Sequence, residues 1–146
     1  MTPGAGAPPA GARRLPVQVY VSAGSNIRPA EHLRMACQAL EARYGPLTVS
    51  SAYRNAAVGF AGEDFINLVI GFSTTDPPER VVDELEALHA RAGRVREANP
   101  FSSRTLDLDM ILYGDRVLTE HRVRVPREDV VKYGFVLRPL AEIAPD

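Results

Sequence analysis

The run Phe65–Phe72 (FINLVIGF) is nearly all apolar, which predicts a buried central strand. The segments around it supply the rest of a sheet and the helices to cover it. Val17, Val19 and Val21 alternate with Gln18, Tyr20 and Ser22, the pattern of a first strand, and Gly24-Ser25-Asn26 breaks it. Pro29 opens a helix, where its fixed φ and missing donor cost little. Leu33, Ala36, Cys37, Leu40 and Tyr44 form its inward stripe, and Gly45-Pro46 ends it. A strand is expected over Thr48–Arg54 and a loop over 55–62. Beyond Phe72, Asp76 is expected to cap a second helix, with Pro77 at its first position and Glu79 closing a capping box. Val81, Val82, Leu85, Leu88 and Ala92 face inward there, and Gly93 stops the helix. An Arg-rich loop over 94–104 leads to a strand at Thr105–Tyr113, then to loops and short extended pieces, then to a short helix over Phe135–Ala144 containing Pro139. The order βαββαβ implies an α+β, ferredoxin-like fold, a mainly antiparallel sheet with helices packed on it.

Residues 1–16, mostly Ala, Gly and Pro, cannot bury enough apolar surface to offset their ordering and are expected to form a disordered tail; residues 17–146 form one domain. The single cysteine, Cys37, excludes an intramolecular disulfide and a cysteine zinc cage. Formal net charge is −1, so any anion site must be local rather than a property of the whole surface. No stretch is long and apolar enough to span a bilayer. Arg13-Arg14 followed by Leu15–Val21 superficially resembles a signal peptide, but the apolar run is short, is interrupted by Gln18 and alternates like a strand.

Chemistry concentrates in Arg104-Thr105-Leu106-Asp107-Leu108-Asp109-Met110-Ile111-Leu112. A strand sends alternate side chains to opposite faces, so Leu106, Leu108, Met110 and Leu112 are expected in the core and Asp107 and Asp109 together on the other side, their Cα atoms about 7 Å apart. Strand interiors disfavour Asp. Two on one face repel each other unless a cation lies between them. Hard carboxylate oxygens without His or Cys suit Mg²⁺, which arrives with substrate phosphates. Two solvated acids on an exposed strand face are the bland alternative. Arg91, Arg94, Arg96 and Arg104 crowd the preceding segment, and guanidinium forks match phosphate oxygens. Beside the Asp pair they point to a polyphosphate site. There is no P-loop, no GxGxxG and a single lysine, Lys132, so ATP would not be held by a P-loop or a protein-kinase arrangement. His32 and His121 read as surface residues without a role.

With these residues in hand, the chain resembles the 6-hydroxymethyl-7,8-dihydropterin pyrophosphokinase family from about Val17 to Pro145. The resemblance rests on Gly24-Ser25-Asn26, Ser50-x-x-Tyr53-Arg54, Phe65-Ile66-Asn67, Gly93-Arg94-Val95-Arg96, Arg104–Asp109, Gly134-Phe135 and Pro139-Leu140-x-Glu142-Ile143-Ala144-Pro145, in order and at compatible spacing. It implies a cytoplasmic, monomeric transferase of folate biosynthesis. Such an enzyme moves pyrophosphate from ATP to the pterin and has no nucleic-acid or membrane partner. It further implies that Asp107 and Asp109 hold two Mg²⁺ and that Arg94 and Arg104 act on the phosphates in catalysis. ATP would be contacted by Arg94, Arg96, Arg104, Arg127 and Asp129. Pterin would be bound by Asn55, Val58, Phe65, Asn67 and Phe135, the two phenylalanines sandwiching the ring.

The chain departs from the family's usual pattern at Asn55-Ala56-Ala57 (Thr-Pro-Pro in relatives), at His89 (a glutamate), at Arg127-Glu128-Asp129 (His-Tyr-Asp) and at Tyr133 (an arginine). A non-catalytic or altered-specificity paralogue that binds pterin or nucleotide is the alternative reading, and formation of AMP from ATP and the pterin separates the two.

Overall fold

The computed structural model describes residues 15–55, 64–93, 106–119, 123–126 and 134–144. Alternation along Val17–Ser25 yields β1, the strand on which the sheet is built. It pairs antiparallel with β4 (Phe65–Thr74) on one side and with β5 (Asp107–Tyr113) on the other. β2 (Thr48–Val49) and β3 (Tyr53–Asn55) both pair antiparallel with β4, giving the order β2-β4-β1-β5 with β3 alongside β2's position. That order is the one a ferredoxin-like βαββαβ chain produces.

Helices α1 (Pro29–Tyr44) and α2 (Pro78–Arg91) cover one face. Leu33, Ala36 and Leu40 from α1 and Val81, Leu85 and Leu88 from α2 bury against Val19, Val21, Ala23, Leu68, Ile70, Phe72, Leu106, Leu108 and Met110. Tyr44 stacks on Phe72 at 4.3 Å between ring centroids. The opposite face carries α3 (Gly134–Ile143), whose Leu140 and Ile143 pack on Val69 and Ile111. The FINLVIGF strand is thus covered from both sides, as its composition requires. A short two-stranded ribbon, β6 (Leu118–Thr119) with β7 (Arg124–Val125), contributes Val125 to the larger core. No helix among the described residues is long and apolar enough to cross a membrane.

Four local expectations are corrected. The strand expected over Thr48–Arg54 is interrupted at Ser50. The Ser50 N–H donates to the Val69 carbonyl at 2.9 Å, but the Val69 N–H donates to Ser50 Oγ at 2.9 Å, so a hydroxyl replaces the next ladder carbonyl and splits β2 from β3. The capping box on α2 does not form. The helix starts one residue later, at Pro78, without a side-chain cap, and the Asp76 carboxylate pairs with Arg43 of α1 at 2.5 Å. His32 is not a surface residue; it is 7 % exposed, with Nδ1 2.7 Å from the Ile27 carbonyl. Leu112 does not share the face of Leu108 and Met110. The pairing of β1 with β5 shifts at Tyr20/Val21, leaving Ile111 as an extra residue, and beyond it the strand's faces exchange. Tyr113 therefore enters the helix-side core, while Leu112 packs with Tyr20 on the α3 side.

α3 is clipped to the sheet by Glu142. Its Oε2 accepts the Ser51 N–H at 2.8 Å and the Ser51 hydroxyl at 2.9 Å, and its Oε1 accepts the Tyr53 hydroxyl at 2.8 Å. These donors hold the Glu142 carboxyl below its ordinary value of 4.5. A lowered folded-state pKa contributes stability that is present above the unfolded value and is lost as pH falls through the folded one. Urea midpoints measured between pH 7 and pH 3 should therefore fall less steeply below about pH 4.5 in Glu142→Gln than in the wild type, while the variant is already less stable at pH 7. Parallel curves would show that the clip carries no stability.

Candidate active site

The face that α3 shares is also the face of the polar residues. In β1 it is presented by Tyr20, Ser22 and Gly24, in β4 by Asn67 and Val69, and in β5 by Asp107 and Asp109, as strand alternation demands. Cross-strand register then decides which of them meet. Gly24 pairs with Asn67 on one side and with Asp107 on the other, and Ser22 pairs with Asp109. Tyr53 pairs with Asn67, and Asn55 with Phe65. One row across the sheet therefore reads Tyr53, Asn67, Gly24, Asp107. From Asn67 to Asp107 is two strand spacings, about 10 Å.

Gly24 is what joins the two ends of this row. A Cβ there would lie 2.6 Å from Asn67 Oδ1, so the amide of Asn67 lies across the bare backbone of β1 toward the acidic strand. The Asn67 Nδ2 donates to Asn55 Oδ1, tying β4 to β3 and setting the orientation of the amide. Asn67 is 6 % exposed, so its hydrogen-bonding atoms are fixed rather than waving in solvent. Phe65, Asn55, Asp107 and Asp109 are each half-buried around it. β1 continues through Ser25, paired with Ile66, and the chain then leaves the sheet through a turn. Ser25 and Asn26 are buried, the Ser25 hydroxyl donates to the Ile27 carbonyl at 3.1 Å, and Arg28 takes a left-handed conformation (φ 43) as it enters α1.

The structure thus brings together the sequence-derived candidates Asn55, Phe65, Asn67, Asp107 and Asp109 on one sheet face. Phe135 falls in the first turn of α3, and its side chain lies outside the described residues. Val58, Arg94, Arg96, Arg104, Arg127, Asp129 and His121 also lie outside them. Sequence reasoning gave Gly24 no role in the site; it counted only as part of Gly24-Ser25-Asn26, a strand break and an anchor of the family resemblance, and the use of that glycine appears only with the register.

The donor set at the carboxylates is all hard oxygen. Two carboxylates stand two residues apart on one strand face, and no group of three or more His, Cys, Asp or Glu able to hold a metal occurs among the described residues. Such a pair is too sparse to cage an ion alone. It fits Mg²⁺, which keeps waters and takes one or two carboxylates together with the phosphates of a substrate.

A methyl group at position 24 tests the row directly. Gly24→Ala should cost about 1–3 kcal/mol by forcing Asn67 aside, and the same change in an Asn67→Ala background should cost less than about 1 kcal/mol. Urea denaturation of the four proteins of this cycle measures both; equal costs would mean that the two side chains do not compete for the space.

Comparison with known proteins places this geometry in context. Residues 20–145 match the family model described as 7,8-dihydro-6-hydroxymethylpterin-pyrophosphokinase. The chain is 34% identical over 134 residues to the 2-amino-4-hydroxy-6-hydroxymethyldihydropteridine pyrophosphokinase of Haemophilus influenzae, covering 89% of this chain and 83% of that protein. It is 37% identical over 133 residues to the protein of the same description from Pseudomonas aeruginosa, covering 88% and 82%. It is 41% identical over 97 residues to the Synechocystis protein of that description, covering 66% and 49%.

Proposed function

The chain belongs to the 7,8-dihydro-6-hydroxymethylpterin-pyrophosphokinase family, and from that premise we propose how the sheet face described above serves the reaction. The protein is a transferase that moves pyrophosphate from ATP to 6-hydroxymethyl-7,8-dihydropterin in folate biosynthesis. In that transfer the hydroxymethyl oxygen bonds to the β-phosphorus, the bond from that phosphorus to the bridging oxygen of AMP breaks, AMP departs, and the hydroxyl proton is released.

The observation that carries our assignment of residues is the row Asn67, Gly24, Asp107, with Asp109 beside it. The amide of Asn67 supplies a fixed donor and acceptor for the edge of a pterin, and its bond to Asn55 holds it in place. A flat bicyclic ring read at that edge extends across the glycine toward Asp107, because the backbone of β1 is bare at Gly24. Phe65, at the rim, offers a ring face for stacking. Asp107 and Asp109 would hold the two Mg²⁺ that serve the ATP phosphates. When bound, Mg²⁺ supplies charge neutralisation on the phosphoryl oxygens. Arg94 and Arg104 would act on the departing phosphates, with Arg96, Arg127 and Asp129 contributing ATP contacts and Val58 and Phe135 closing over the pterin. We place the protein, as a monomer, in the reducing cytoplasm; that compartment fits a chain with a single free cysteine, half-buried.

Two changes separate the roles of the two ends of the row. Asp107→Ala or Asp109→Ala should lower AMP formation by about 10³-fold, the loss of about 4 kcal/mol of transition-state stabilisation. Asn67→Ala should raise the KM for the pterin by about 10-fold or more, with a smaller effect on the KM for ATP. Steady-state assays that follow AMP with each substrate varied measure both. Wild-type protein that binds the pterin and yields no AMP would instead identify a non-catalytic relative.

A further inference from the structure

His89 sits near the end of α2, 5 % exposed and on the helix side of the sheet, away from the proposed substrate face. Its Nε2 lies 2.8 Å from the backbone nitrogen of Leu108, the residue between Asp107 and Asp109. Among the described residues β5 is the edge strand of the sheet, with no strand beside its outward amides. The Leu108 side chain is 2 % exposed, so water is a poor substitute as acceptor. The imidazole fills that place. Because Leu108 N–H can only donate, Nε2 must be the bare nitrogen, and the ring proton sits on Nδ1. Nδ1 lies 3.3 Å from Glu86 Oε1, one turn earlier in α2, which accepts that proton's hydrogen bond and helps to select the tautomer.

We propose that His89 is a positioning residue for the carboxylate pair, holding the peptide between Asp107 and Asp109 so that both side chains meet a metal at a fixed spacing. The Leu108 N–H belongs to the Asp107–Leu108 peptide, one of the two peptide planes that link the acids. A rotation of that plane swings the two Cβ atoms relative to each other, and an anchor on its N–H resists this rotation. The register with β1, Ser22 to Asp109 and Gly24 to Asp107, secures β5 from its inner edge; His89 secures it from the outer one. This inference rests on the reading of Asp107 and Asp109 as metal ligands.

The test uses the full chain with Mn²⁺ as the probe metal and a non-hydrolysable ATP analogue, with bound Mn²⁺ followed by electron paramagnetic resonance. His89→Leu removes the acceptor and should weaken Mn²⁺ binding by about 10-fold or more, the range in which outer partners of metal ligands act. His89→Gln places an oxygen near the position of Nε2 and should stay within about twofold of wild type. Nitrogen-15 spectra of the metal-free protein should show His89 with Nε2 bare and Nδ1 protonated, a signature that holds even if His89→Leu fails to fold. Equal weakening in both variants, unchanged binding in His89→Leu, or a proton on Nε2 would each overturn the proposal. Asp109→Asn serves as the control on the underlying reading. If it binds Mn²⁺ as wild type does, the metal site itself is misassigned and the role of His89 falls with it; if it loses Mn²⁺ while His89→Leu does not, only the positioning role fails.

Discussion

β1 pairs with β4 along one edge and with β5 along the other, and a slip of one residue in either pairing would turn that neighbour's side chains over. The hydrophobic contrast between faces prevents the slip. Val19, Val21 and Ala23 must meet α1 and α2, so Ser22 and Gly24 must face the other way. The same condition places Leu108 and Met110 against the helices and leaves Asp107 and Asp109 opposite. Burial of the core thus dictates where the charges stand, although the charges contribute nothing to the core.

Two devices then divide the polar face. The irregularity at Ile111 lets β5 present acids at one end and apolar side chains at the other, so that Ile111 and Leu112 sit under α3. Gly24 does for β1 what the bulge does for β5. It withholds a side chain between Asn67 and Asp107, so that the Asn67 amide and the Asp107 carboxylate can share one open row of the sheet. Glu142 holds the third wall by fastening α3 to Ser51 and Tyr53 on the strand side.

Much of this was legible from residue patterns. Alternation over Val17–Val21 and Thr105–Tyr113 was enough to put two aspartates on one side of a strand, and FINLVIGF was enough to put β4 in the interior of the sheet. What pattern alone could not supply was anything decided by a contact between distant segments. Asp76 stands where a cap should be, yet Arg43 of another helix takes its carboxylate. Leu112 continues the apolar period of Leu108 and Met110, yet a single unpaired residue reverses its face. His32 and His89 look alike as isolated polar residues on helices. One seals the Ile27 turn and the other reaches the backbone of β5, and both partners are fixed by tertiary packing. The pterin and ATP assignments came from the order of motifs along the chain, since two carboxylates on a strand are compatible with many metal-dependent reactions.

The central claim is spatial: a metal held by Asp107 and Asp109 lies on the same sheet face as a pterin read by Asn67, with Gly24 between them. Anomalous diffraction from crystals grown with Mn²⁺, a non-hydrolysable ATP analogue and the pterin measures it directly. The account predicts an anomalous peak bound by both carboxylates, with the pterin edge on Asn67 and its ring crossing Gly24. A peak elsewhere, or a pterin seated away from the β4–β1–β5 row, would contradict it.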